Sequence, residues 1–293
     1  MSISFPKAGL SIPDQLLHMT SKGLTVANTT KAYETLKHIS FYRLRGYYIH
    51  CYNRQTKQFD HGITFEDIVA LHDFDKELSA LVLDVTSSIE ISLRAYLANE
   101  ICFASNGQDA MAYLDSKHFS SSDLFLSNLG KLSGDIYRSK EIFVQHFKDH
   151  YDCQVPIWAV MGIASFGVLS KLFKSLDVPI KRKITHDCYQ RSTISWVESW
   201  LQAAVIIRNM CAHQSRLFNR KTGARPTILS VDDKATTKPE TIYGTLLALK
   251  YLTEYSCGSA NWTQKLKNLI SKYSSVLDVS RLGFPSDWGI HLV

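Results

Sequence analysis

Apolar residues recur at three- and four-residue spacing through most of the chain, and the strict alternation that a half-buried strand needs is scarce, so the pattern predicts helices. The longest such pattern covers 64–104, "TFEDIVALHDFDKELSALVLDVTSSIEISLRAYLANEICFA". Thr64 there, followed three positions on by Asp67, reads as a start signal close to a capping box. It predicts two long helices or one bent one. "NGQDAMAYLDSKHFSSSD" is loop-like, with short helical turns at most. A helix is expected over 125–151, and a further apolar segment covers 156–176. "STISWVESWLQAAVIIRNMCAH" starts a helix after Ser192 or Thr193 as cap. The polar tract "NRKTGARPTILSVDDKATTKPE" reads as a loop or short hairpin, followed by helices over 241–255 and 262–277. No internal repeat or low-complexity linker interrupts this series. The fold class expected is therefore all-α, as one helical domain over 1–293 with additional N- and C-terminal helices.

Composition narrows the class without naming a function. The 293 residues are 45% hydrophobic and 20% charged, which describes a globular chain long enough for a large core. The start, "MSISFPKAGLSIPDQ", lacks the basic flank and apolar run of a secretory signal. The longest uncharged run, "CQVPIWAVMGIASFGVLS" at 153–170, contains Pro156, two glycines and several polar residues, and reads as buried protein, not a membrane span. Six cysteines, Cys51, Cys102, Cys153, Cys188, Cys211 and Cys257, form no close pair, which argues against a zinc site of paired thiolates and fits reduced thiols in the cytoplasm. No P-loop or Rossmann glycine pattern appears.

The net charge of +6 becomes informative through its distribution: "KRK" at 181–183 and then Arg208, Arg216, Arg220, Lys221 and Arg225 form a local basic excess that suits a phosphate backbone, or equally a solvated surface. The densest chemistry lies in "IIRNMCAHQSRLFNR", residues 206–220. At about 100° per residue, Trp196, Trp200, Ala203, Ala204, Ile207 and Cys211 form one apolar stripe, while Asn209, His213 and Arg216 fall together on another face. Arg208 lies apart from His213 on a regular helix, so the two meet only if the guanidinium stem curls round or the helix loosens. Metal-free RNA cleavage would use these residue types: His moves protons near neutral pH, Arg meets two phosphate oxygens with a fixed charge, and Asn209 orients. One His can hardly serve both sides of a phosphorus, so a second copy in a dimer would complete the site. Spacing alone is weak, because twelve Arg and eleven His give about half a match by chance. A second match runs from Arg45 to His50 in "RGYYIH".

"RNMCAHQSRLFNR" resembles the Arg-Asn-x-x-x-His signature of HEPN-type ribonucleases, in the form seen in Abi-like abortive-infection proteins of the AbiD/AbiF type. Three further stretches are similar to that family in the same order: "LKHISFYRLRGYY", "LHDFDKELSALVLDVTSSIEISLRAYLA" and "PIWAVMGIASFGVLSKLF", together spanning about residues 30–220. The resemblance implies a HEPN-like helical bundle with residues 241–293 as a C-terminal extension. It also implies antiviral defence by growth arrest, a toxin role, and endoribonuclease activity without a cofactor. The catalytic residues it implies are Arg208, Asn209 and His213. HEPN nucleases usually work as dimers, and AbiF-like members are linked to a small structured RNA, so RNA and a second copy are the partners expected, with no membrane. Some HEPN proteins bind RNA or a protein antitoxin and cut nothing, which is the competing reading.

Arg216, Arg220, Lys221, Arg94 and Arg45 are the expected RNA-binding residues. Arg45 and His50 could form a second half-site, but a structural "YRLRGYY" is preferred, its aromatics in the core and Arg43 or Arg45 paired or touching RNA. Glu90 and Arg94 stand four apart, a spacing that favours an ion pair over a place in the cleft. His72-Asp73 and His186-Asp187 invite a metal-phosphohydrolase reading, yet nothing in their spacing makes further ligands converge. Trp158, Trp196 and Trp200 read as core, unless one lies exposed for base stacking.

Overall fold

The regular structure is almost wholly helical in the computed structural model, which describes residues 9–104, 108–191, 193–232, 237–254 and 261–292. Tyr255 and Cys257, and Ser192 as a cap, lie outside the described residues. Three short helices come first: α1 (Ile12–Thr20), α2 (Thr29–His38) and α3 (Phe41–Tyr48). Each has a polar N-cap, Ser11, Asn28 and Ser40, whose side chain accepts from the backbone N–H three residues on. A small antiparallel hairpin follows, β1 (Tyr52–Asn53) and β2 (Gln58–Phe59), in which Tyr52 pairs with Phe59. Two-residue strands are too short for alternation to register, so the sequence pattern passes over them.

Helix α4 (Phe65–Cys102) runs unbroken for 38 residues, about 57 Å, resolving the choice between one helix and two. It contains no Gly or Pro, and the expected capping box is complete: Thr64 accepts from the Asp67 N–H at 3.0 Å while Asp67 accepts from the Thr64 N–H at 3.0 Å. The loop-like stretch after it holds only short 3₁₀ turns at Ala112–Leu114 and Ser116–His118. The helix expected over 125–151 is two, α5 (Ser122–Arg138) and α6 (Ile142–His150), because Ser139 and Glu141 are extended. The uncharged 153–170 run is likewise divided between α7 (Ile157–Ile163) and the start of α8 (Phe166–Ser175), with Ala164 and Ser165 extended between them. Among the described residues no helix is long and apolar enough to cross a membrane. Helix α9 (Val178–Lys183) widens into a π-turn at Ile184–Cys188, and α10 (Ile194–Ala212), α11 (Ile242–Thr253), α12 (Trp262–Lys272) and the short α13 (Trp288–His291) follow.

Helix α4 is the central rod. It packs against α3, α7, α8, α10, α11 and α12, and one continuous apolar cluster runs from Leu16 to Leu292. Helix α11 is buried nearly all round, from Ile242 to Leu252, and lies against α10 and α4. The extension expected over 241–293 thus contributes a helix to the centre of the molecule. Trp200 is fully buried, donates to the Thr227 carbonyl at 2.7 Å and meets the Tyr251 ring at 4.7 Å; Trp196 is half-buried beside it. Trp158, in contrast, is 56% exposed on α7, which corrects its assignment to the core.

Candidate functional site

The motif occupies the last turn of α10. Val197, Trp200, Leu201, Ala203, Ala204, Ile207 and Cys211 hold the helix in the core, so its polar residues emerge at a fixed height and angle. Burial pushes the Cys211 thiol up to about 12, which marks it as a packing residue and not a nucleophile. The helix ends in a Schellman motif: Ser215 N–H donates to the Met210 carbonyl at 2.8 Å and Gln214 N–H to the Cys211 carbonyl at 2.9 Å. Gln214 fills the left-handed position, φ 53°, where glycine is usual. His213 is the capping residue, and its side chain stands exposed, as does that of Asn209 one turn earlier.

Arg208 bridges two side chains from different elements. Its guanidinium curls toward the Asn209 face, Nη1 donating to Asn209 Oδ1 at 3.1 Å, while Nη2 donates to Glu90 Oε2 on α4 at 3.3 Å. The other oxygen of Glu90 accepts from Arg94 at 2.5 Å, so one carboxylate lies between two guanidinium groups. Arg94 also donates to the carbonyls of Met161 and Gly162 at the end of α7. The expected Glu90–Arg94 pair is therefore present, and Arg94 is committed to joining α4, α7 and the motif arginine.

A second network fixes the chain just past the motif. Asp75 of α4 is 2% exposed and accepts from the backbone N–H of Leu217 at 2.9 Å, of Phe218 at 2.7 Å, and from the Tyr47 hydroxyl at 2.9 Å. Burial raises its pKa, against the opposing pull of these hydrogen bonds. From α3, Arg43 donates to the Gln214 carbonyl at 2.8 Å, and the Gly46 carbonyl accepts from Arg216. The Arg216 stem crosses α3 so closely that a Cβ on Gly46 would lie 2.8 Å from its Nε. Arg216 is thus held against α3. Asp75 was absent from the sequence-derived candidates, yet a signal exists: it interrupts the apolar series Leu71, Leu78, Val82, Val85, Ile89 at core spacing, where a lone carboxylate needs donors.

The remaining candidates separate. Arg45 is exposed and lines a cavity of about 560 Å³ with His18, Phe41 and Tyr52. His50 instead lies against the Phe218 ring at 5.3 Å, its pKa lowered by burial and then by Arg281. Arg220 and Lys221 line another cavity of about 850 Å³ with Lys238 and Arg281, and Lys221 pairs with Glu240 at 3.1 Å. The "KRK" run is partly neutralised, Lys181 by Glu198 at 3.2 Å and Lys183 by Glu100 at 2.7 Å. His72 Nε2 faces the Arg43 Nε–H at 3.3 Å and its Nδ1 faces Asp73, while His186 and Asp187 pair with each other at the surface. Among the described residues no group of three or more His, Cys, Asp or Glu is placed to hold a metal ion, and Cys51, Cys102, Cys153, Cys188 and Cys211 are free thiols.

Comparison with known proteins adds one finding. No curated protein and no solved structure matches the chain. A family model described as "Abi-like protein" matches residues 34–219, nearly two thirds of the chain. Those limits enclose α3 with Arg43 and Gly46, α4 with Asp75 and Glu90, α7 and α10, together with the motif turn that they hold in common. With its matched region and its networked motif coinciding, the chain belongs to the Abi-like protein family.

Proposed function

We propose that this protein is an abortive-infection toxin of the AbiD/AbiF type, a HEPN-type endoribonuclease that cuts RNA without a metal. The observation that supports it most directly is the placement of Arg208: its guanidinium is drawn toward the Asn209 face by Asn209 and Glu90, with exposed His213 one turn further on the same face. In the reaction the ribose 2′-oxygen bonds to phosphorus and the bond to the 5′-oxygen breaks, giving a 2′,3′-cyclic phosphate and a 5′-hydroxyl. His213 takes the 2′-hydroxyl proton as base, Arg208 meets the charge that builds on the non-bridging oxygens, and Asn209 holds Arg208 in place. The leaving 5′-oxygen lies opposite the attacking one and needs its own proton donor, which His213 of a second copy supplies. Two exposed motif turns facing each other in a homodimer meet that need.

The test is incubation of the purified protein with end-labelled RNA in EDTA. Wild type should release fragments ending in a cyclic phosphate, and Arg208→Ala and His213→Ala should each slow release by at least about 100-fold while remaining folded, His213→Ala melting like wild type and Arg208→Ala losing no more than about 1–2 kcal/mol with its Glu90 contact. Equal cutting by both variants and wild type would refute the assignment. One observation favours a second reading, a module that binds a structured RNA or a protein antitoxin and cuts nothing: Arg208 already shares a carboxylate. Retention of RNA without any product would establish that reading.

A further inference from the structure

A cavity of about 670 Å³ opens between α5, α8 and α10 and ends at Asn209. Its α10 wall is built from Ser195, Ser199, Gln202, Ile206 and Asn209, which lie on one face of the helix, and His213 continues that face one turn beyond. From Gln202 to His213 the face rises about 16 Å. The opposite wall carries Lys131 of α5 with Lys171 and Lys174 of α8. All three ammonium groups are exposed, and among the described residues no carboxylate is within ion-pair distance of them. Glu198, the one acid among the described residues that line the cavity, is already paired with Lys181. Lys131 and Lys171 line the same cavity from the packed helices α5 and α8, and the nearness of Lys171 lowers the pKa of Lys131. Like charges gathered on one wall by two packed helices repel each other, and a bound anion would relieve that repulsion.

We infer that this cavity is the track by which an RNA strand reaches the motif, with Lys131, Lys171 and Lys174 receiving backbone phosphates and Gln202 and Asn209 offering amides beside the strand. The inference rests on the RNA reading above and adds to it the strand's direction of approach. The floor is aliphatic, from Val168, Val205 and Ile206, and among the described residues no aromatic side chain lines the cavity to stack on a base. Binding here is therefore electrostatic, steep in salt and tolerant of sequence.

The test uses the whole protein and a labelled 2′-O-methyl oligonucleotide, which binds but lacks the attacking hydroxyl. Anisotropy is measured in EDTA from about 50 to 300 mM salt. Replacing Lys131, Lys171 and Lys174 together by Gln should raise Kd about 10- to 100-fold near 100 mM salt and make the log–log salt slope shallower by about 1 to 2. The same three positions changed to Arg should keep the wild-type slope, as should Lys57→Gln on the β1–β2 turn. If wild type binds and the Gln variant keeps its slope, the track is wrong and the RNA reading stands. If wild type binds no RNA, both fall.

Discussion

Arg208 Nη2 lies 3.3 Å from Glu90 Oε2, joining the last turn of α10 to the middle of α4. The motif arginine is thus oriented by a carboxylate 118 residues away, which in turn is held by Arg94. Glu90→Gln keeps the shape of the side chain and removes the charge. Under the proposed nuclease function it should slow RNA cleavage about 10-fold, mainly in kcat, because Arg208 remains but is no longer drawn to one place. The stability loss should be about 1–2 kcal/mol, less than for a sealed ion pair, since Arg208 keeps 33% of its side-chain surface in water. Single-turnover kinetics and urea melts separate the two effects.

Asp75 should matter to folding more than to chemistry. Asp75→Ala leaves two buried N–H groups and the Tyr47 hydroxyl without their acceptor and should cost about 3 kcal/mol or more in urea denaturation.

The same residue gives a pH signature. Its folded pKa is raised, chiefly by burial, so between the ordinary aspartate value of about 3.9 and the raised value the folded state holds the proton more tightly than the unfolded chain. Stability attributable to Asp75 is therefore fullest below that ordinary value and is lost as pH rises through the raised pKa. Wild type measured against Asp75→Asn over this interval should show the difference; parallel pH profiles would contradict the burial argument.

Gly46 offers a test with a change of sign. It sits inside α3, where alanine is favoured by about 1 kcal/mol, yet an added Cβ would press on the Arg216 stem. Gly46→Ala should destabilise wild type by about 1–2 kcal/mol and stabilise the Arg216→Ala background by up to about 1 kcal/mol. A double-mutant cycle by thermal or chemical melting reads the coupling directly.

Gln214 holds a left-handed backbone where glycine carries no steric penalty. Gln214→Gly should raise stability by about 0.5–1 kcal/mol and leave the Arg43 contact intact, since that bond uses the backbone carbonyl.

Much of the helical framework was legible in the sequence because long amphipathic runs register clearly: the Thr64–Asp67 cap and the Glu90–Arg94 pair appear where spacing puts them, and the α10 stripe does so from Trp200 to Cys211, with Val197 and Leu201 buried in addition and Trp196 only half-buried. The breaks inside 125–151 and 156–176 did not register, since Ser139 and Ala164 leave the helical region without a Gly or Pro to signal it. For the site, the local composition of α10 was legible and its long-range partners were not. Arg43, Gly46 and Asp75 reach the motif turn across 142 to 171 positions, a distance that periodicity does not see. Lys131, Lys171 and Lys174 escaped for the same reason, being scattered in sequence and gathered only by the packing of α5 on α8.

Helix α4 supplies both Glu90, which orients Arg208, and Asp75, which secures the turn after His213, so two ends of the motif take their coordinates from a single ruler with marks about 22 Å apart. A rigid gauge of this kind leaves little room for partial failure on warming. Whatever the motif turn does, its loss with temperature should coincide with the melting of α4 and so of the whole molecule.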